Sequence, residues 1–227
     1  MGMELNSIVP WGRSYEEYVQ MFSLSEEDIS KSILGCGDGP SSFNASLTQL
    51  GGKVISFDPI YEFTNQQIKH RIDETYEPVI SQMRLNKDGY LWNTIKSVEE
   101  LGEVRMESMR LFLNDYDAGR AEKRYLNLEL PSPLPFKEKQ FELALASHFL
   151  LLYSKQLSYD FHISSIDEVM RVAMEFRIFP VLTLDGKKSP YLDNLIDHYK
   201  AKGLSAELKN VDYEFQIGGN EMLVITH

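Results

Sequence analysis

The chain has 227 residues, which is enough for one large domain with a substantial core and does not require two. Hydrophobic residues make up 43% and charged residues 25%, as is ordinary for a soluble globular protein. The formal net charge is -11 and no run of Lys and Arg occurs. A nucleic acid is therefore a disfavoured substrate, because a surface this negative repels phosphate groups.

The cysteine content and the length of the apolar runs exclude further classes of protein. Cys36 is the single cysteine, which excludes an intrachain disulfide and a cysteine-based metal cluster. Residues 1–10 have no basic segment followed by an apolar stretch, and Asn6 stands where a myristoylation motif needs Ser or Thr. The longest apolar run, 149–153, is far shorter than the roughly 20 residues that span a bilayer. We therefore expect a cytoplasmic protein with no membrane association and no metal site.

Capping patterns predict where several helices begin. In a capping box, a Ser side chain and an acid three residues later satisfy backbone N–H groups that the first helical turn leaves unpaired. Four such pairs occur: Ser14 and Glu17, Ser25 and Asp28, Ser97 and Glu100, and Ser165 and Glu168. Ser189 followed by Pro190 predicts a further helix start, because proline is favoured at the first helical position.

A βαβ unit is predicted near the start of the chain. Residues 32–34 read as a short strand, and the glycine-rich turn 35–40 follows it. An apolar stripe at helical spacing then covers residues 43–50, and residues 54–57 form a second β-rich run. Strand, turn, helix and strand in this order indicate parallel strands of an α/β fold.

Two regions make up the rest of the chain. Residues 65–119 have helical periodicity without strands, so we interpret them as a helical insertion in one domain, residues 1–227, that forms a lid and substrate platform. Strand and helix alternation then resumes, with strands predicted at residues 125–130, 141–146, 176–184, 206–215 and 221–226. Pro180 predicts a bulge or break in the third of these strands, and Gly218-Gly219 predicts a hairpin between the last two.

The glycine-rich turn is the first candidate for chemistry. Glycines between a strand and a helix let the backbone approach a ligand closely. The dinucleotide fingerprint G-x-G-x-x-G would need glycine at position 40, which is Pro40. The spacing present here is Gly35-x-Gly37-x-Gly39, which argues against NAD.

The sequence resembles the class I S-adenosylmethionine-dependent methyltransferases in three places. Residues 34–39 resemble their first motif, Asp58 after the second strand resembles their ribose-binding acid, and residues 134–148 resemble their fourth-strand motif. The resemblance covers residues 31–61 and 125–227. It implies a three-layer Rossmann-like α/β sandwich, whose seven-stranded sheet is mostly parallel with an antiparallel last strand.

The same resemblance implies that the protein binds S-adenosylmethionine. The glycine turn would wrap its methionine part, Asp58 would accept hydrogen bonds from both ribose hydroxyls, and Glu129 would help to bind adenine. The candidate cofactor-binding residues are Gly35, Cys36, Gly37, Asp38, Gly39, Asp58, Pro59, Glu129, Leu130, Ser147 and Arg13.

Several individual residues are compatible with more than one role. His148 follows a strand end and is the candidate catalytic base with a pKa near neutrality, although a buried structural histidine fits equally well. Arg13 could clamp the cofactor carboxylate or face solvent. Cys36 fits a small turn residue better than a nucleophile. The aromatic residues of 149–161 fit a core better than a substrate cage.

The function predicted from these residues is methyl transfer from S-adenosylmethionine to a small molecule or to a protein side chain. The alternative is an S-adenosylmethionine-binding protein without catalysis, because Ile33 replaces an acid common in the family and no Pro-Gly-Gly precedes the fifth strand. A dinucleotide oxidoreductase comes third, since Pro40 counts against it.

Overall fold

The computed structural model describes residues 9–227, so the predictions made for the first residues of the chain lie outside the described part, apart from Val9 and Pro10. The strands are β1 (Ser32–Cys36), β2 (Lys53–Phe57), β3 (Tyr125–Leu126), β4 (Leu143–Ser147), β5 (Glu175–Phe179), β6 (Ser205–Asn210) and β7 (Glu221–Thr226). The helices are α1 (Tyr15–Met21), α2 (Glu26–Ser30), α3 (Phe43–Gln49), α4 (Asn65–Leu85), α5 (Val98–Ala121), α6 (Tyr159–Val172) and α7 (Leu192–Ala201).

Within this part of the chain, seven strands form one sheet in the order β3-β2-β1-β4-β5-β7-β6. The first five strands of that order pair in parallel, and β7 pairs antiparallel with both β5 and β6. The predicted Rossmann-like architecture, with its antiparallel last strand, is confirmed.

The sheet is covered on both faces because its strands alternate in side-chain direction. Leu143 and Leu145 of β4 pack with α1 and α3 on one face. Ala144 and Ala146 pack with α6 and α7 on the other face. Near-continuous burial of β4 is what a central parallel strand requires, since helices lie on both sides of it.

The predicted helical insertion consists of α4 and α5, joined by residues 86–97. Ser97 caps α5 as predicted, and α4 begins with a full capping box between Thr64 and Gln67. The two helices pack against each other through apolar side chains that include Ile72, Met83 and Phe112. No helix of residues 9–227 is long and apolar enough to cross a membrane.

Two sequence-based predictions about α6 and β3 were wrong. Ser165 does not begin a helix: α6 is capped by Ser158, and Ser165 lies fully buried in its middle. The predicted strand 125–130 pairs only at Tyr125 and Leu126. A local sequence pattern can suggest a helix cap or a strand. A strand forms, however, only where a neighbouring strand is close enough to pair with it.

Two strands near the end of the chain, β5 and β6, are shorter than predicted, whereas β7 has the predicted bounds and the predicted break at Pro180 is present. β5 ends at Phe179 because Pro180 has no N–H to donate to a ladder. β6 ends at Asn210, so the connection to β7 spans residues 211–220 instead of a tight turn at Gly218-Gly219. This longer connection folds over the sheet and contributes to the site described next.

Candidate cofactor and active site

A cavity of about 600 Å³ lies at the carboxyl ends of the central strands. Its walls include Gly37, Asp58, His148 and Pro180, each of which follows directly after β1, β2, β4 or β5. The chain leaves β1 toward β2 on one side and later returns to β4 on the other, so the strand order reverses here. Ligands of open α/β sheets bind at such a switch point.

The glycine turn has a shape that larger residues would not allow. Gly37 and Gly39 have φ values of +67° and +53°, in the left-handed region that glycine adopts most readily. Gly35 has another reason: a Cβ placed there would lie 1.8 Å from a carboxylate oxygen of Asp38. The turn therefore folds Asp38 back over its own strand end.

Two carboxylates, the buried Asp38 and the half-buried Asp58, lie at this end of the cavity. Asp38 accepts hydrogen bonds from the hydroxyls of Tyr18, at 2.9 Å, and Ser56, at 2.6 Å. Asp58 accepts backbone N–H bonds from Gly39, at 2.9 Å, and Ile60, at 2.8 Å. Burial raises the pKa of each carboxyl to about 6, because loss of water disfavours the charged form.

The arrangement fits a ribose. A carboxylate has about four lone-pair positions, and the two backbone bonds leave about two for further donors. Those same bonds hold the side chain of Asp58 in place against the cavity. Asp58 can therefore accept two neighbouring hydroxyl groups without rearrangement.

His148 lies on the cavity wall in an unusual backbone conformation, with φ of +54°. Its backbone N–H donates to the carbonyl oxygen of Phe179 at 2.7 Å, and its Nδ1 pairs with the hydroxyl of Ser147 at 2.9 Å. The prediction of a pKa near neutrality was wrong. Burial, with smaller contributions from Arg13 and Arg105, lowers the pKa of His148 well below its usual value. The imidazole is neutral at pH 7.

Arg13 does not project into solvent. Its side chain lines the cavity, and one terminal nitrogen donates to the carbonyl oxygen of Trp11 at 2.6 Å. Its Nε is buried and has no hydrogen-bond partner in the described part of the chain. Among residues 9–227 it also forms no ion pair, unlike Arg105 nearby. An unpaired buried cation of this kind is suited to an anionic group of a ligand.

A buried ion pair lies beside the cavity and was missed by the sequence analysis. The guanidinium of Arg105, on α5, binds both carboxylate oxygens of Glu17, on α1. The hydroxyl of Tyr213 donates to the same carboxylate at 2.9 Å. Burial acts to raise the pKa of Glu17, but Arg105 holds it below its usual value. The three residues come from distant parts of the chain, so no local pattern connects them.

Most of the predicted site residues come together. Those that line the cavity are Arg13, Gly37, Asp38, Gly39, Asp58, Pro59, Glu129, Leu130, Ser147 and His148. Gly35 and Cys36 do not line it. The thiol of Cys36 lies in the core and donates to the carbonyl oxygen of Leu34 at 3.9 Å, and burial raises its pKa well above the usual value. Cys36 is therefore a small core residue behind the turn.

The end of the cavity beyond His148 is aromatic. Its walls include Trp11, Tyr90, Tyr153 and Phe215. Tyr153 was predicted to be core, and it is buried but borders the cavity. Phe149, partly buried, also borders the cavity and packs within 2.9 Å of where a Cβ of Gly37 would lie.

Metal ligands are not grouped at this site. Within residues 9–227, no three side chains of His, Cys, Asp or Glu lie close enough together to hold a metal ion. The carboxylate, guanidinium and imidazole groups that line the cavity belong to four acids, three arginines and one histidine, in the order Asp38, Asp58, Glu62, Glu129, Arg13, Arg71, Arg105 and His148.

The fold corresponds to that of known proteins. The structure of the mitomycin 7-O-methyltransferase MmcR is similar with a TM-score of 0.50 and 10% identity, over 94% of this chain and 53% of that chain. The chain thus spans about half the length of that protein. Together with the strand order, this similarity shows the class I S-adenosylmethionine-dependent methyltransferase fold.

A relative with much higher identity shows the family. The uncharacterized protein MJ0045 of Methanocaldococcus jannaschii is 37% identical over 224 residues, which cover 98% of each chain. The present chain belongs to the same protein family as MJ0045. No family model matches the chain.

Proposed function

We propose that the protein is a methyltransferase that transfers a methyl group from S-adenosylmethionine to a small molecule. The observation that carries this proposal is the placement of Asp58 beside the turn at Gly37 and Gly39, inside the cavity at the switch point of the sheet. A carboxylate held by the turn itself supports a nucleoside ligand, because ribose offers two adjacent hydroxyl donors.

The residues that would hold the cofactor divide by chemistry. Asp58 and the adjoining Pro59 would hold the ribose, and Glu129 and Leu130, after β3, would hold the adenine; all four line the cavity. Gly37, Asp38, Gly39 and Ser147 would surround the methionine part, and Arg13 would bind its carboxylate. Gly35 and Cys36 support the turn from behind.

S-adenosylmethionine supplies a methyl group on a positively charged sulfur, so that transfer to a hydroxyl oxygen forms a carbon–oxygen bond, leaves the electrons of the broken bond on sulfur and releases the hydroxyl proton. The chain aligns the acceptor and keeps water out. His148 would accept that proton at Nε2 in the tautomer whose Nδ1–H donates to the hydroxyl oxygen of Ser147. The lowered pKa of His148 keeps the ring in the neutral form that can accept.

The direct test is ligand-dependent stability. S-adenosylmethionine and its demethylated product, S-adenosylhomocysteine, should each raise the melting temperature, whereas NAD should not. A ligand present at 100 times its dissociation constant adds about 2.7 kcal/mol to the free energy of unfolding. Stabilisation by NAD, with both sulfur nucleosides inert in titration calorimetry, would refute the proposal.

A second candidate is a cofactor-binding protein without catalysis. It is favoured by Ile33, which is fully buried in the core and places no acid near the turn. The two candidates differ in one measurement: methyl transfer from labelled cofactor to a panel of small molecules, with cofactor binding measured in parallel. Tight binding with no transfer to any member of the panel would favour the second candidate.

We propose that the helical insertion acts as a lid over the cavity. Val79 and Met83 of α4 and Leu101 of α5 contribute to the cavity wall, so opening of these helices would expose a ligand. Amide exchange should be faster in α4 than in β4, and it should slow in α4 when cofactor and acceptor bind. Equal protection of α4 and β4 in the free protein would contradict the lid.

A cytoplasmic location and the lack of a nucleic-acid partner stay predictions.

A further inference from the structure

The two ends of the cavity differ in charge. The acids that line it are Asp38, Asp58, Glu62 and Glu129, and each follows β1, β2 or β3. We call the opposite end the acceptor end and define it by six lining residues: Trp11, Tyr90, Leu152, Tyr153, Phe215 and Gln216. Within residues 9–227, every carboxylate that lines the cavity belongs to these segments after β1, β2 and β3, and the other lining residues include none, although the whole chain carries a net charge of -11.

Three arginines line the cavity, and two of them have acidic partners. Arg71 of α4 pairs with Glu74 at 3.2 Å. Arg105 is paired by Glu17, which does not itself line the cavity. Arg13 would be matched by the cofactor carboxylate under the proposed function. The acceptor end is then close to neutral, and a cation brought there would lose its water without gaining a counter-charge.

The apolar wall of the acceptor end is built from two connections that pair with each other. Residues 86–97 join α4 to α5, and residues 211–220 join β6 to β7. The N–H of Leu91 donates to the carbonyl oxygen of Phe215 at 2.7 Å, and the N–H of Ile217 donates to that of Gly89 at 3.0 Å. The rings of Tyr90 and Phe215 lie 5.1 Å apart between centroids. Paired backbones hold these rings in place, so the wall is preformed for a flat apolar ligand.

His148 lines the same cavity and precedes Phe149, whose ring lies beside Gly37, and its uncharged imidazole can accept a proton. From the wall, the charge distribution and this histidine, we propose that the methyl acceptor is an uncharged aromatic molecule with a hydroxyl group, of the phenol class, and that cationic amines are excluded. The inference rests on the proposed function and specifies its substrate class. The hydroxyl proton passes to Nε2 of His148 in the step stated above.

The test uses three probes with one ring system: naphthol, naphthoate and naphthylmethylammonium, substituted at the same ring position. Each is titrated into the full chain saturated with S-adenosylhomocysteine at about pH 7.5, where the three are neutral, anionic and cationic. Naphthol should bind at least about tenfold more tightly than the ammonium probe, since burial penalises an unpaired cation. Binding of the ammonium probe as tight as that of naphthol, or no binding of naphthol, would overturn the proposal.

Naphthoate adds a separate outcome. If it binds as tightly as naphthol or more tightly, the acceptor is anionic and Arg13 faces the acceptor, which overturns the uncharged class. Failure of S-adenosylhomocysteine itself to bind would refute the proposed function instead, so the two failures are distinguishable.

Single substitutions of residues in the acceptor end test whether these side chains determine which probe binds. Gln216→Glu adds one carboxylate at nearly constant size and should strengthen binding of the ammonium probe by roughly fivefold while weakening naphthoate. Phe215→Ala should weaken naphthol about tenfold and leave S-adenosylhomocysteine binding unchanged. Ile217→Ala is the matched control, because Ile217 is in the same connection but is 50% exposed and does not line the cavity. Equal effects of Phe215→Ala and Ile217→Ala on naphthol would contradict the assigned wall.

Discussion

The two ends of the cavity are built in different ways. The glycine-turn end consists of two short segments, residues 35–40 and 57–60. The N–H of Gly37 donates to the carbonyl oxygen of Phe57 at 2.8 Å, and the N–H of Gly39 donates to the carboxylate of Asp58 at 2.9 Å. The acceptor end combines side chains from the segment before α1, from the helical insertion, from the region after β4, and from the β6–β7 connection. One end depends on local conformation, the other on long-range packing.

This difference has a physical consequence for stability and for binding. At the glycine-turn end, a side chain such as Asp58 contributes contacts to a ligand and little to the core. At the acceptor end, Arg105 joins α5 to α1 through Glu17, and Tyr213 adds the β6–β7 connection. Changes there should disturb the fold first, whereas changes at the turn should disturb binding first.

The largest expected effect is on the buried ion pair. Arg105→Met should lower the free energy of unfolding by about 3–5 kcal/mol, because it leaves the carboxylate of Glu17 buried without its partner. The double variant Glu17→Leu with Arg105→Met should lose less, since it removes both charges. Urea denaturation measures both, and Arg110→Met is the control, since the side chain of Arg110 lies on the same helix and is 64% exposed. A loss no larger than that of the control would show that the pair does not anchor the acceptor end.

At the other end, Asp58→Ala should weaken binding of S-adenosylmethionine by roughly 10 to 150 times, since hydrogen bonds to a charged group contribute about 1.5–3 kcal/mol. The free energy of unfolding should change little. Asp58→Asn keeps one acceptor oxygen and the side-chain shape, so its loss should be smaller. If titration calorimetry finds that Asp58→Ala binds S-adenosylmethionine with unchanged affinity, the role of Asp58 is limited to the conformation of the turn.

Arg13 lines the cavity and is the residue proposed to bind the carboxylate of the cofactor. Arg13→Met should weaken S-adenosylhomocysteine by at least about tenfold, because a charge-assisted pair with its carboxylate is lost. Methylthioadenosine, which lacks the amino-acid group, should bind the variant and the unmodified protein equally. If both ligands weaken to the same extent, the change acts through the shape of the cavity and not through a carboxylate contact.

The smallest expected effect is on pH dependence. Asp58 accepts hydroxyl donors best when ionised, and its pKa is raised to about 6. Affinity for S-adenosylhomocysteine should therefore fall about tenfold between about pH 7.5 and about pH 5. Asp58→Asn should flatten this dependence, and a profile unchanged by that substitution would assign the titration to another group.

The same raised pKa has the opposite effect on the free protein. A carboxyl whose pKa is higher in the folded than in the unfolded chain contributes stability below the unfolded value of 3.8. That contribution is lost as the pH rises through about 6, where Asp38 and Asp58 must ionise without water. Stability of the ligand-free protein should thus decline over this window while affinity for the cofactor product rises.

The sequence by itself determined the order of strands and helices, the helix starts at Ser14, Ser25 and Ser97, and the glycine turn with Asp58. Each of these depends on residues close together in the chain: a cap spans one helical turn, and the turn and the acid belong to one βαβ unit. For the same reason the false cap at Ser165 could not be recognised, because only burial of that segment inside α6 shows that the helix began earlier.

The tertiary structure alone decided the chemistry of the acceptor end. Glu17 and Arg105 are 88 residues apart, and Tyr213 is 196 residues from Glu17, so no spacing rule brings them together. The pKa of His148 is likewise a property of its surroundings: burial near Arg13 and Arg105 makes the ring neutral, whereas its sequence position predicted only a place at a strand end. Desolvation and pairing depend on what surrounds a group in space, and neighbours in the chain make up only part of that.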